Sequence, residues 1–85
     1  MNNNGTSGRS VEPIYVKLSK MIVTRRITLG MTQVQLAAKL GISRPYLARM
    51  ETGKQRIYLH HLLKLEKVLN YPLLLQFVRR SYAEV

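Results

Sequence analysis

Cysteine is absent from the 85-residue chain, which removes disulfides, thiolate zinc sites, cysteine nucleophiles and any thiol-based redox switch. Long apolar runs are absent too. No stretch approaches the roughly 18 apolar residues of a membrane span, and no segment has the apolar block of a secretory leader, so a cytoplasmic protein is expected. No nucleophile-base pair, phosphate-cradling loop or cluster of metal ligands appears, so neither an enzyme nor a cofactor or metal is expected. Acids are scarce: four face fourteen Lys and Arg, a formal charge of +10. That surplus suits a polyanionic partner, nucleic acid or an anionic membrane surface, because either releases counterions when bound. A basic surface kept for solubility is the plainer alternative.

Hydrophobic residues make up 46% of the chain against 21% charged, a balance suited to one small domain with a thin core. Residues 1–10, MNNNGTSGRS, carry no large apolar side chain after Met1 and are expected to form a flexible tail. Residues 11–85 are then the folded domain.

Glu12 and Pro13 introduce a helix running to about Thr28, since proline and an acid both suit a first helical turn. Ile14, Leu18, Met21 and Ile22 share its apolar face, and Gly30 ends it. Thr32, followed at capping-box spacing by Gln35, starts a second helix from about Gln33 to Leu40. Gly41 supplies a left-handed stop. Ser43 caps a third helix with Arg44, Pro45 and Tyr46 in its first turn, ending near Thr52. Projected at about 100° per residue, Leu47 and Met50 lie on one side, with Pro45, Arg49 and Thr52 opposite. KQRIY, residues 54–58, is a short basic loop. Leu59, Leu62, Leu65 and Leu69 mark a fourth helix stopped at Asn70. Pro72 opens a last segment, LLLQFVRRSY, apolar over more of its circumference than a solvated helix requires. His60 and His61, adjacent in sequence, point about 100° apart and cannot share a metal as an i, i+4 pair would. They read as surface residues.

Two short helices joined by Gly-Ile-Ser form a helix-turn-helix, with Ile42 anchoring the turn and the second helix displayed outward. Arg44 and Arg49 on that outer face, in a basic chain, make double-stranded DNA the leading partner.

The runs RITLGMTQVQLAAKLGIS and LARMETGK, followed by the leucine-spaced fourth helix, resemble the phage-repressor (Cro/CI, XRE-type) helix-turn-helix family from about Ile22 to Phe77. The resemblance implies an all-α, compact five-helix, lambda-repressor-like domain. It also implies that Gln33 binds a DNA phosphate, that Arg44, Pro45 and Arg49 face the major groove, and that Arg26 and Glu51 form a partly buried ion pair. Ala37, Gly41 and Leu47 match the family's packing and turn positions. Three departures stand out. Ile57 replaces a usual proline, so the loop before the fourth helix is open to a different shape. Glu66 replaces a small residue near an inner face and would be costly to bury without a partner. Leu74 and Leu75 stand where polar residues are expected.

Arg44 and Arg49 are candidates for reading guanine, whose O6 and N7 suit the guanidinium fork; Arg44 has phosphate contact as its alternative. Pro45 either packs on an apolar base edge or serves to start its helix. Gln33, Tyr46, Thr52, Lys54, Gln55 and Arg56 are candidate phosphate contacts, with Tyr46 alternatively covering the edge of the core. Leu73, Leu74, Leu75, Phe77 and Val78 are the candidate dimer interface. A two-fold dimer would hold its recognition helices about 34 Å apart and select a palindromic operator. The expected function is therefore a homodimeric, sequence-specific repressor. The alternative is an antitoxin-like or adaptor protein whose C-terminal apolar helix binds another protein.

Overall fold

The computed structural model describes residues 13–83; the tail expected over residues 1–10 and the first-turn acid Glu12 lie outside them. Five α-helices follow in order: α1 Pro13–Thr28, α2 Gln33–Leu40, α3 Arg44–Glu51, α4 Leu59–Leu69 and α5 Leu73–Ala83. No strand occurs among the described residues. The domain is all-α.

The helices are punctuated by one repeated device. α1, α2, α3 and α4 are followed by residues with left-handed backbone, Gly30, Gly41, Gly53 and Asn70. In each case the next amide reaches back five residues: Met31 to the Arg26 carbonyl, Ile42 to Ala37, Lys54 to Arg49 and Tyr71 to Glu66, at 3.0–3.1 Å. Each bond satisfies a carbonyl that the helix end would otherwise leave open. At the other ends, Thr32 and Gln35 complete a capping box on α2, and the Ser43 hydroxyl accepts from the Tyr46 amide on α3. These local signals join α2 to α3 through a tight turn.

The core is built from Leu18, Met21 and Ile22 of α1, Leu36, Ala37 and Leu40 of α2, Leu47 and Met50 of α3, and Leu62, Leu65 and Leu69 of α4. Ile57 from the basic loop and Leu73 of α5 close it. Ile57 thus replaces the stiffness of a proline with a hydrophobic anchor. The α1 helix packs against α3, α4 and α5, while α2 packs against α3 and α4. Arg25 ties two of these layers together. Its Nε donates to the Leu69 carbonyl at 3.0 Å and its guanidinium lies 5.2 Å from the Tyr71 ring, placing a cation on the carbonyl end of α4.

Three expectations about facing are corrected. Ile14 is 47% exposed and Leu59 is 63% exposed: both sit in the first turn of a helix that overhangs the core, where periodicity continues but nothing lies opposite. Leu73, expected in a dimer interface, is fully buried within its own chain. It fills the core beneath α5, and the surface of that helix is left to its neighbours. Glu66 has found a partner after all. Its Oε2 accepts from the Leu74 amide at 2.9 Å, so it caps the amino end of α5 and interacts with the positive end of that helix.

Candidate nucleic-acid interface

Leu47 and Met50 have no exposed surface, while Arg44, Pro45 and Arg49 on the same helix are exposed. The α3 helix is therefore clamped from behind and presents its cationic face to solvent.

Behind that face runs a polar relay. Arg26 of α1 grips Glu51 through two bonds, Nε to Oε2 at 2.6 Å and Nη2 to Oε1 at 3.0 Å, and its Nη1 donates to the Met31 carbonyl at 2.8 Å. The two side chains are 13% and 4% exposed, so this pair is shielded from the water that weakens surface ion pairs. Glu51 Oε1 also accepts from Gln33 Nε2 at 2.9 Å, and Gln33 Oε1 accepts from Arg44 Nη1 at 2.7 Å. Because a carboxylate can only accept, Glu51 fixes which way the Gln33 amide points, and the amide in turn presents an acceptor to Arg44. Charge laid down on α1 thus orients a side chain at the tip of α3.

The remaining candidates surround this line. Arg49 Nε lies 3.4 Å from Gln55 Oε1, with its guanidinium 5.5 Å from the Tyr46 ring. Gln55 Nε2 donates to the Arg56 carbonyl at 3.3 Å, and Lys54 and Arg56 are exposed. Thr52 donates its hydroxyl to the Arg49 carbonyl at 3.1 Å, so a phosphate bond from it requires that bond to break. Gln33 keeps one amide hydrogen for a phosphate, the other being directed to Glu51. The candidate base and phosphate contacts thus group around α3, the start of α2 and the loop after α3. The apolar candidates Leu74, Leu75 and Val78 form a separate exposed patch on α5, with Phe77 partly buried against the core.

Sequence patterns missed an aromatic cluster beside α3. His61 meets the edge of Tyr46 at 5.5 Å between ring centres, and His60 and Tyr58 stack nearby at 6.1 Å. His61 is partly buried rather than a plain surface residue. Its Nδ1 is out of water and has no hydrogen-bond partner. Desolvation first, then the positive charges of His60 and Lys64, hold its pKa below the usual 6.5. No spacing in the sequence flags this contact, because Tyr46 and His61 lie on different helices. The Gln33–Glu51 link and Tyr82, 76% exposed beside the α5 patch, were also missed.

Among the described residues, no helix is long and apolar enough to cross a membrane. No curated protein matches the chain. Among solved structures, the restriction-modification controller protein C.AhdI from Aeromonas hydrophila shares 27% identity at a TM-score of 0.68, over 73% of this chain and 94% of that one. A tyrosine-to-phenylalanine mutant of the restriction-modification controller protein C.Esp1396I shares 21% identity at a TM-score of 0.74, over 86% of this chain and 96% of that one; this likeness concerns the fold. A family model described as helix-turn-helix matches residues 22–76, which takes in α2, α3 and the polar relay between them. The chain belongs to the XRE-type helix-turn-helix family of DNA-binding transcriptional regulators.

Proposed function

We propose that the protein is a homodimeric repressor that reads a palindromic operator through the major groove. The observation that carries this reading is the division of α3, with Leu47 and Met50 fully buried and Arg44, Pro45 and Arg49 exposed. Arg49 and Arg44 contact base edges, Pro45 packs beside them, and Gln33, Tyr46, Thr52, Lys54, Gln55 and Arg56 hold the phosphates on either side. Leu74, Leu75 and Val78, joined by Tyr82, meet their symmetry mates, while Phe77 supports them from the core side. Repression by occupying promoter DNA is favoured over activation because α2 carries Lys39 and no acid. It therefore offers no acidic patch to RNA polymerase. The likeness to C.AhdI, a controller protein, supports a regulatory role.

Selection of bound duplexes from a random pool tests the proposal. An inverted repeat with half-sites about one helical turn apart is the expected product, and it should survive salt that strips random DNA. Enrichment of no motif, or of a single unrepeated half-site, would overturn it. A second reading rests on the same α5 patch, which borders an open apolar hollow of about 430 Å³ lined by Glu66, Pro72, Leu74, Leu75 and Val78. There, an antitoxin-like adaptor would dock a different protein. Sedimentation of the isolated chain separates the two: a stable dimer favours the repressor and a monomer favours the adaptor.

A further inference from the structure

The polar line from Arg26 through Glu51 and Gln33 ends on one side of the Arg44 guanidinium and leaves the other side open. Arg44 Nη1 donates to Gln33 Oε1 at 2.7 Å, whereas its Nε and Nη2 make no hydrogen bond within the described residues. Those two atoms form a flat, paired-donor edge of the kind that fits O6 and N7 of guanine. We propose that Glu51 is a specificity-determining positioning residue: acting through the Gln33 amide, it commits Arg44 to reading guanine with its Nε–Nη2 edge rather than to gripping a phosphate. This rests on the major-groove reading above and narrows it at one residue.

Three observations support it. The first is direction. Both Glu51 oxygens are held by Arg26, and Oε1 also accepts from Gln33 Nε2 at 2.9 Å. If the Gln33 amide were reversed, its oxygen would face this carboxylate and its hydrogens would face the Arg44 guanidinium. Two hydrogen bonds would be exchanged for two repulsions, so one orientation of the amide prevails. The second is placement. Arg44 and Glu51 stand at the two ends of α3, seven positions apart, which puts them on one side of the helix at a rise of roughly 10 Å. Gln33, the first residue of α2, sits between them and bonds to both, so the buried end of the line fixes the exposed end. The third is the chemistry of the target. A phosphate accepts from several directions and needs no oriented donor, whereas a guanine edge takes two hydrogens in one plane. A guanidinium held from behind at Nη1 meets the second demand. Arg49, bonded to Gln55 rather than to this line, lies outside its influence.

Selection of bound duplexes by the full chain, repeated with variants, supplies the test. Arg44→Ala marks the base position that the lost side chain reads. The quantity measured is preference, the affinity for the selected duplex relative to one with a substituted base pair, so a uniform loss of affinity or of folded protein cancels. Gln33→Met and Glu51→Gln should each lower preference at the marked position by about fivefold or more, and at every other position of the motif by no more than about twofold. Gln33→Met leaves the Arg26–Glu51 pair in place and carries the test if Glu51→Gln does not fold. The double variant Gln33→Glu/Glu51→Gln returns an oriented acceptor to Arg44, because the amide at position 51 then donates to the carboxylate at position 33. It should recover the marked preference without restoring the Arg26 ion pair, a rescue that a purely structural role for Glu51 does not give. Equal losses at all positions, an unchanged preference at the marked one, a folded double variant without rescue, or an Arg44→Ala chain that alters no base position would overturn the proposal and leave the operator reading intact. A wild-type chain that enriches no motif would overturn the operator reading and this inference with it.

Discussion

Arg49 is held loosely, by a 3.4 Å contact to Gln55 and the face of Tyr46, and can turn towards a base at little cost. Arg49→Ala should weaken operator binding by about 1–3 kcal/mol and relax preference at one base position per half-site; a binding motif unchanged after repeat selection would remove it from base readout. Glu51 is the opposite kind of residue, buried and bonded to both Arg26 and Gln33. Glu51→Ala would strand the Arg26 charge and free the Gln33 amide, so denaturant melts should show a loss of about 3–5 kcal/mol. A loss under about 1 kcal/mol would mean that water replaces the carboxylate easily. His61 adds a pH dependence. It faces Tyr46 from α3, Tyr58 from the preceding loop, and His60 and Lys64 on its own helix. Because its pKa is depressed on folding, the unfolded chain takes up the proton first. The stability it confers is present above the unfolded value near 6.5 and is lost as pH falls from there through the lower folded value. Thermal melts at about pH 7.5 and pH 5.5 should show a drop that His61→Gln diminishes, and equal drops in both proteins would exclude His61 as the cause.

At the scale of elements, the turn after α3 is fixed by a close approach. Gly53 has φ +75°, and a Cβ there would lie 2.9 Å from Val16 Cγ2 and 3.0 Å from the Val16 Cα. Gly30 has a similar φ of +72° with open space around it. Gly30→Ala should therefore show the left-handed penalty alone, about 1–2 kcal/mol, whereas Gly53→Ala should cost clearly more and separate α1 from the base of α3. Equal costs in denaturant melts would show that Val16 yields freely. Such contrasts mark where the sequence was readable. Thr32, Gln35, Gly41 and Ser43 act on residues within four positions of themselves, so the helix-turn-helix could be traced from spacing. The inward faces of Leu62, Leu65 and Leu69 followed from periodicity. Ile14 and Leu59 were misplaced because periodicity says which residues share a face but not where the opposing wall ends. Glu66 to Leu74, Gln33 to Arg44 and Tyr46 to His61 were unreadable for another reason: each joins different helices, and its geometry depends on how they pack.

For the molecule as a whole, α5 would link stability to assembly in the proposed dimer. Leu73 is fully buried while Leu75, two residues on, is 55% exposed. Leu73→Ala should destabilise the chain by about 2–5 kcal/mol. Leu75→Glu should leave the melting of each chain nearly unchanged yet shift the sedimenting species from dimer to monomer; a dimer that persists would place the two-fold contact elsewhere. Operator affinity should fall with the dimer, because each monomer would then grip one half-site alone. The burial of Glu51 behind α3 has one more consequence. Among the described residues, no carboxylate stands on the exposed face of α3, so nothing on that face pushes a mismatched duplex away. Rejection of wrong sequences then rests on poor fit rather than repulsion, and at low ionic strength the protein should linger on any DNA it meets, travelling along it in search of its site.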